Sequence, residues 1–130
     1  MAALTEEQSM IRDQAKAWAT EQSPVQKFRE MRDNKVTNHF FADTWTAMID
    51  LGWTGILVPE QYGGSDLGYL TFGLLQEELG RQLVASPLFA SALAGTSAIL
   101  LGGNNAQKET ILPKVVDGSE MLTLAVDEGP

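Results

Sequence analysis

His39 is the single histidine of the chain, and there is no cysteine. An imidazole can move a proton near neutral pH or ligate a metal. A metal site needs further donors, and Asn38 and Phe40 on either side of His39 supply none, so it reads as a surface residue. The absence of cysteine excludes disulfides, thiolate metal sites and a thiol nucleophile. Carboxylates occur as the adjacent pairs Glu6-Glu7 and Glu77-Glu78. Adjacent residues on a helix point in different directions, so neither pair can share a proton as an acid–base dyad; they read as helix capping and a solvated face. Gly63-Gly64 could cradle a phosphate, but the third glycine and the Lys-Ser or Lys-Thr ending of phosphate loops are missing, which leaves a structural turn. Trp18, Trp45 and Trp53 read as core or interface aromatics. The residues therefore offer no catalytic group and no metal site.

The wider composition limits the partners. Nine Lys plus Arg stand against seventeen Asp plus Glu, a formal charge of −8, which repels nucleic-acid phosphates and anionic lipid surfaces. With 44% apolar residues over 130 positions, the chain has the composition of one globular domain. No apolar run approaches the roughly 20 residues of a membrane span, and the N-terminus lacks a basic region followed by an apolar stretch. The expectation is a soluble, cytoplasmic protein without nucleic-acid or membrane partners.

The elements that must position any site are mostly helical. Thr5-Glu6-Glu7-Gln8 is a capping-box pattern, and Ile11, Ala15 and Trp18 follow on one face, predicting a helix from about Glu6 to Thr20. Val25, Phe28 and Met31 predict a short second helix after Pro24. Trp45, Met48 and Ile49 predict a third from about Ala42, stopped by Gly52. Ile56-Leu57-Val58 is too short for a helix and joins Pro59 and Gly63-Gly64 in a connecting segment. Tyr69, Phe72, Leu75, Leu79 and Leu83 recur at spacings of three and four, predicting a helix from about Tyr69 to Gln82 with Glu77, Glu78 and Arg81 opposite. Ser86-Pro87 opens a fifth helix, rich in small residues, that runs to Gly102-Gly103. Asn104 or Asn105 caps a sixth, in which Pro113 forces a break or kink and which Gly118 ends. The segment 121–126, Met-Leu-Thr-Leu-Ala-Val, is the one good strand candidate. A lone strand is unstable without neighbours, so it is expected to begin a domain that is missing.

Five marks in order resemble the acyl-CoA dehydrogenase family. They are Leu4 to Gln8, Leu51-Gly52-Trp53, the loop Pro59-Glu60-Gln61-Tyr62-Gly63-Gly64, Glu77 to Arg81, and Gly103 through Gln107-Lys108 to Leu112-Pro113 and Gly118. The resemblance implies an all-α fold, an N-terminal bundle of about six helices over residues 1–118, with residues 119–130 as the first strand of a truncated flavin-binding β-domain. It implies FAD as cofactor, an acyl-CoA substrate undergoing α,β-dehydrogenation, an electron-transfer flavoprotein or similar acceptor, and a homo- or hetero-oligomer. The base carboxylate of the family sits in a C-terminal helical domain, so no catalytic residue is assigned and the 130-residue chain alone is expected to be inactive and to retain no FAD.

Site residues carry over from the same resemblance. The helix after Ser86 matches the one lining the acyl pocket, which points to Ser86, Pro87, Ala90 and Ala94, with small side chains suited to a bulky acyl group. A run of small residues serves close helix contact equally well. The ending resembles the flavin-contacting strand of the family, with Leu124, Val126 and Asp127 in the matching places. Asp127 stands where the family has threonine. That ending, with Gly80-Arg81 and Ser86-Pro87-Leu88, is similar to members acting on sterol side chains, some of which share flavin between unlike subunits. The alternative is a non-catalytic helical interaction module or partner subunit derived from the same fold.

Overall fold

Thr5 starts the first helix as its spacing requires. In the computed structural model, which describes residues 3–127 and Gly129, its Oγ1 accepts from Gln8 N at 3.1 Å while Thr5 N donates to Gln8 Oε1 at 3.0 Å. This reciprocal box satisfies two of the N–H groups that a helix start leaves without partners. The described residues contain six α-helices and no strand, the all-α class expected. They group into two compact units, each built from two stretches of chain.

The first unit takes the residues up to Ala47 and Leu67–Ser86. It contains α1 (Glu6–Gln22), α2 (Val25–Asp33), most of α3 (Ala42–Asp50) and α4 (Gly68–Arg81). α1 packs on α4. α1 buries Ala15 and Ala19 completely, and such short side chains let two helices approach closely. α4 buries Phe72, Leu75 and Leu79, the middle of the predicted stripe.

The ends of that stripe differ from expectation: Tyr69 and Leu83 are 54% and 53% exposed. Tyr69 lies in the first turn of α4. Leu83 lies past its end, at φ +54°, where Leu83 N bonds to Gly80 O and Val84 N to Leu79 O, both at 3.1 Å. This is a C-terminal cap with leucine in the left-handed position that glycine usually fills. Glu78 also departs from the solvated face predicted for it. It is 8% exposed, with Arg81 Nε 3.4 Å from its Oε2 and the same guanidinium 2.6 Å from Glu77 Oε1.

An ion pair ties α2 to α3 within this unit, with Lys27 Nζ donating to Asp43 Oδ2 at 3.0 Å. That hydrogen bond, opposed by partial desolvation, holds the Asp43 carboxyl below its ordinary value of 3.8. A carboxylate with a depressed folded-state pKa stabilises the fold above its unfolded value and loses that contribution as pH falls through the folded one. Asp43→Asn is therefore expected to be less stable than the parent above pH 3.8, with the gap closing on acidification. Urea unfolding at a series of pH values checks this, and a gap that widened toward acid would refute it.

The second unit takes Met48–Asp66 and the residues from Pro87 onward. Gly52 at φ +75° ends α3 as expected. Residues 53–58 are all buried, although they form neither α-helix nor strand. Trp53–Gly55 is a 3₁₀ turn, and the bonds Gly55 N to Gly52 O and Val58 N to Gly55 O satisfy backbone groups locally, which is what makes burial of an irregular segment affordable. Thr54 Oγ1 donates to Val116 O at 2.9 Å, anchoring this segment to the end of α6 (Asn105–Val116).

Asn104 caps α6 with a complete box to Gln107. Pro113 lies inside this helix, which runs on to Val116; of the break or kink expected, the break is corrected. Proline removes the hydrogen bond to the carbonyl four residues back; that residue, Glu109, is exposed, so water can take the bond instead. Residues 121–127 form no strand among the described residues. A strand is defined by ladder bonds to a neighbour, and no described segment supplies one. Glu128 and Pro130, the end of the predicted strand region, lie outside the described residues.

Among the described residues no helix is long and apolar enough to cross a membrane.

Candidate functional site

The predicted fifth helix is two structures in series. Phe89–Gly95 is a π-helix, and Thr96–Gly102 continues it as α5. The wide turn is visible in Thr96, whose N–H reaches Ser91 O five residues back and whose Oγ1 donates to the same carbonyl at 3.0 Å. π-turns are costly and occur frequently at functional sites. Small side chains make one possible here, because Ala90, Ser91, Ala92, Ala94 and Gly95 leave the widened turn uncrowded. The helical run begins at Leu88, and Ser91 N donates to Pro87 O at 2.9 Å.

The small residues separate into two sets. Ser91, Ala92 and Gly95 are buried, whereas Pro87, Ala90 and Ala94 are half-buried. Part of the buried set receives the segment after α6: Leu122 N donates to Ser91 Oγ at 3.0 Å, and a Cβ added at Gly95 would run into Leu122 Cβ, with Cδ1 and Cγ at 3.2 and 3.3 Å. Gly95 has an ordinary helical φ of −65°. Glycine is required there by space and not by backbone conformation. Close packing thus accounts for Ser91 and Gly95, and Ala90 and Ala94 are the small residues left with free surface. Ser86, half-buried, belongs to the first unit.

Beyond Leu122 the chain is exposed. Leu124 and Val126 are 51% and 70% exposed, and the carboxylate of Asp127 accepts from Gly129 N at 3.0 Å. Backbone groups of residues 123–126 make no hydrogen bond among the described residues. Such a run of unpaired donors and acceptors suits a partner strand or the polar edge of a planar ring. It fits one side of a flavin site, except that Asp127 offers an acceptor where a hydroxyl could donate. The sequence gives no sign of the Ser91–Leu122 bond or of the π-turn. A serine and a glycine four residues apart are the sole trace, and helix packing produces that spacing routinely.

Other polar groups do not form a catalytic cluster. His39 is exposed, as its reading required, and among the described residues no three His, Cys, Asp or Glu side chains converge as metal ligands. A groove of about 530 Å³ in the first unit is lined by Arg12, Lys16, Leu70, Leu74 and Arg81 among others. Its guanidinium groups are already paired, Arg12 with Asp13 and Arg81 with Glu77.

Residues 5–119 match the family model described as "Acyl-CoA dehydrogenase, N-terminal domain". The chain belongs to the acyl-CoA dehydrogenase family. It is 35% identical over 127 residues to the mitochondrial isovaleryl-CoA dehydrogenase of Pongo abelii, covering 96% of this chain and 30% of that protein. Among solved structures it resembles the Tcur3481-Tcur3483 steroid ACAD, with 30% identity, a TM-score of 0.80, and coverage of 91% of this chain and 32% of that one. It also resembles butyryl-CoA dehydrogenase from Megasphaera elsdenii, with 26% identity, a TM-score of 0.77, and coverage of 93% and 32%. The chain thus spans about a third of the length of these acyl-CoA dehydrogenases, and its helical fold is that of their N-terminal domain.

Proposed function

We propose that the chain is the N-terminal domain of an FAD-dependent acyl-CoA dehydrogenase that introduces an α,β double bond into an acyl thioester. The family match over residues 5–119 carries this reading. FAD, when bound, supplies the hydride acceptor, and an electron-transfer flavoprotein or similar protein then takes the electrons. The chain's own share is to shape and to hold. Ser86, Pro87, Ala90 and Ala94 line the acyl pocket, and the exposed backbone around Leu124, Val126 and Asp127 meets the flavin. Small half-buried side chains at Ala90 and Ala94 leave width for a bulky or ring-bearing acyl group, a reading supported by the likeness to a steroid ACAD.

The full-length protein is expected to purify with FAD and to bleach when given acyl-CoA, with ring-bearing thioesters preferred over linear ones. The 130-residue chain alone is expected to show no flavin absorbance. A colourless full-length protein would overturn the reading, and a preference for straight chains would overturn the wide pocket.

Asp127 favours a second reading, a partner subunit of the same fold that does not itself oxidise substrate. An anion beside the ring disfavours the reduced, anionic flavin. In the full-length flavoprotein Asp127→Thr should therefore raise the midpoint potential, by on the order of tens of millivolts for a charge a few ångströms away in a partly solvated site. An unchanged potential would place Asp127 away from the flavin and remove the observation that favours the partner-subunit reading.

A further inference from the structure

We propose that Ser91 and Gly95 are positioning residues that seat Leu122 and so fix the segment 123–127 relative to the pocket residues Ala90 and Ala94. This rests on the flavin reading of that segment only for its functional consequence; the seat itself stands on contacts within the second unit.

The segment leaving α6 is held near the helix end, where Ser119 bonds to Asp117 and Lys114, and then at Glu120 and Leu122. At Glu120, the backbone N–H bonds to Lys114 O at 3.1 Å and the carboxylate pairs with Lys114 Nζ at 2.8 Å. At Leu122, the N–H bonds to Ser91 Oγ while the side chain lies over the space left by the missing Cβ of Gly95. Past Leu122 no described residue holds residues 123–126 by a hydrogen bond. Leu122 is therefore the last fixed residue before the proposed flavin contacts.

Ser91 is itself fixed. It is completely buried, its carbonyl takes both the N–H and the hydroxyl of Thr96, and it lies between Ala90 and Ala92 in the π-turn. One turn of helix thus presents Ala90 and Ala94 to the pocket and holds the flavin-ward segment through Ser91 and Gly95. A shift of the seat changes the distance between cofactor and acyl chain without altering a residue that touches either.

Two variants separate the components. Ser91→Ala removes the acceptor with little change in volume, and Gly95→Ala inserts a methyl where Leu122 sits. In the 130-residue chain, both should speed amide exchange at Leu122 by roughly tenfold, as for loss of one partly buried hydrogen bond, while the amides of α6 keep their protection. Unchanged exchange at Leu122 in both variants would overturn the seat. In the full-length protein, Ser91→Ala should weaken FAD binding by roughly tenfold, and Ser91→Thr, which keeps the hydroxyl, should restore it. Faster exchange with unaltered FAD affinity would overturn the positioning role. Failure of the unmodified full-length protein to bind FAD would instead overturn the flavin reading and leave the seat to the exchange data.

Discussion

Gly64→Ala is expected to destabilise the second unit by about 3 kcal/mol, near the upper end of what inserting one methyl into a closed site costs, and to lower the melting temperature by roughly 10 °C. A Cβ at Gly64 would meet the backbone of Val58, with the carbonyl carbon and Cβ at 2.5 Å and the carbonyl oxygen nearer still. Val58 cannot retreat, because it is completely buried and its carbonyl accepts from Asp66 N at 3.1 Å. Ser65 N donates to Gly55 O at 3.0 Å, so displacing the loop breaks two bonds that fasten it to the buried 53–58 segment. Gly63→Ala provides the comparison. Gly63 sits at φ +89° with only a 4.0 Å contact to Val116, and its substitution should cost about 1 kcal/mol of backbone strain. Thermal and urea unfolding of both variants test the difference, and equal losses would remove close approach as the reason for the second glycine.

Leu75→Ala should cost about 3 kcal/mol, the usual loss when a fully buried leucine is cut back and its cavity cannot collapse. Leu75 lies at the centre of α4, completely buried, in the helix that packs on α1. Leu70, in the same helix, is 57% exposed, and its replacement by alanine should change stability by no more than about 0.5 kcal/mol. Similar losses at the two positions would mean that another surface covers Leu70 in the measured protein. The pair tests the face of α4 directly, since both substitutions remove the same atoms from the same helix.

These two sites differ in how far the sequence exposes their role. Leu75 is legible from periodicity, and the box at Thr5, a cap at Asn104 or Asn105 and the stop at Gly52 are legible from local residue types, because each depends on residues within one or two turns. The Pro-Glu-x-Tyr-Gly-Gly loop is legible as a turn, but the demand for glycine at position 64 comes from a chain segment that returns to it through space. The same limit explains the other departures. Burial of Glu78, the exposed left-handed Leu83, the unbroken helix around Pro113 and the six buried residues from Trp53 all depend on what lies opposite them. For the candidate site, the small-residue run was visible and its division was not. Ser91 and Gly95 differ from Ala90 and Ala94 only because Leu122, some thirty positions later, lies against the first pair. The predicted strand forms no ladder among the described residues for a related reason: β-propensity marks residues 121–126, while a ladder needs a second segment.

The way the two units share the chain bears on how it folds as it is made. Each unit is assembled from two stretches, and the stretches alternate along the sequence. α1 emerges from the ribosome well before α4, its packing partner, and must wait for it with Ala15 and Ala19 uncovered. The buried turn at Trp53 likewise waits for Val116. Domains generally fold as units during synthesis, but here the first unit lacks a part until Ser86 is made, and the second lacks most of its residues until the stretch from Pro87 follows. The first unit can close once Ser86 is made, whereas the second stays open until Val116 is in place, and closure of long loops makes both slower than a simple helical hairpin. No cut between the two units yields contiguous pieces that each hold a whole one.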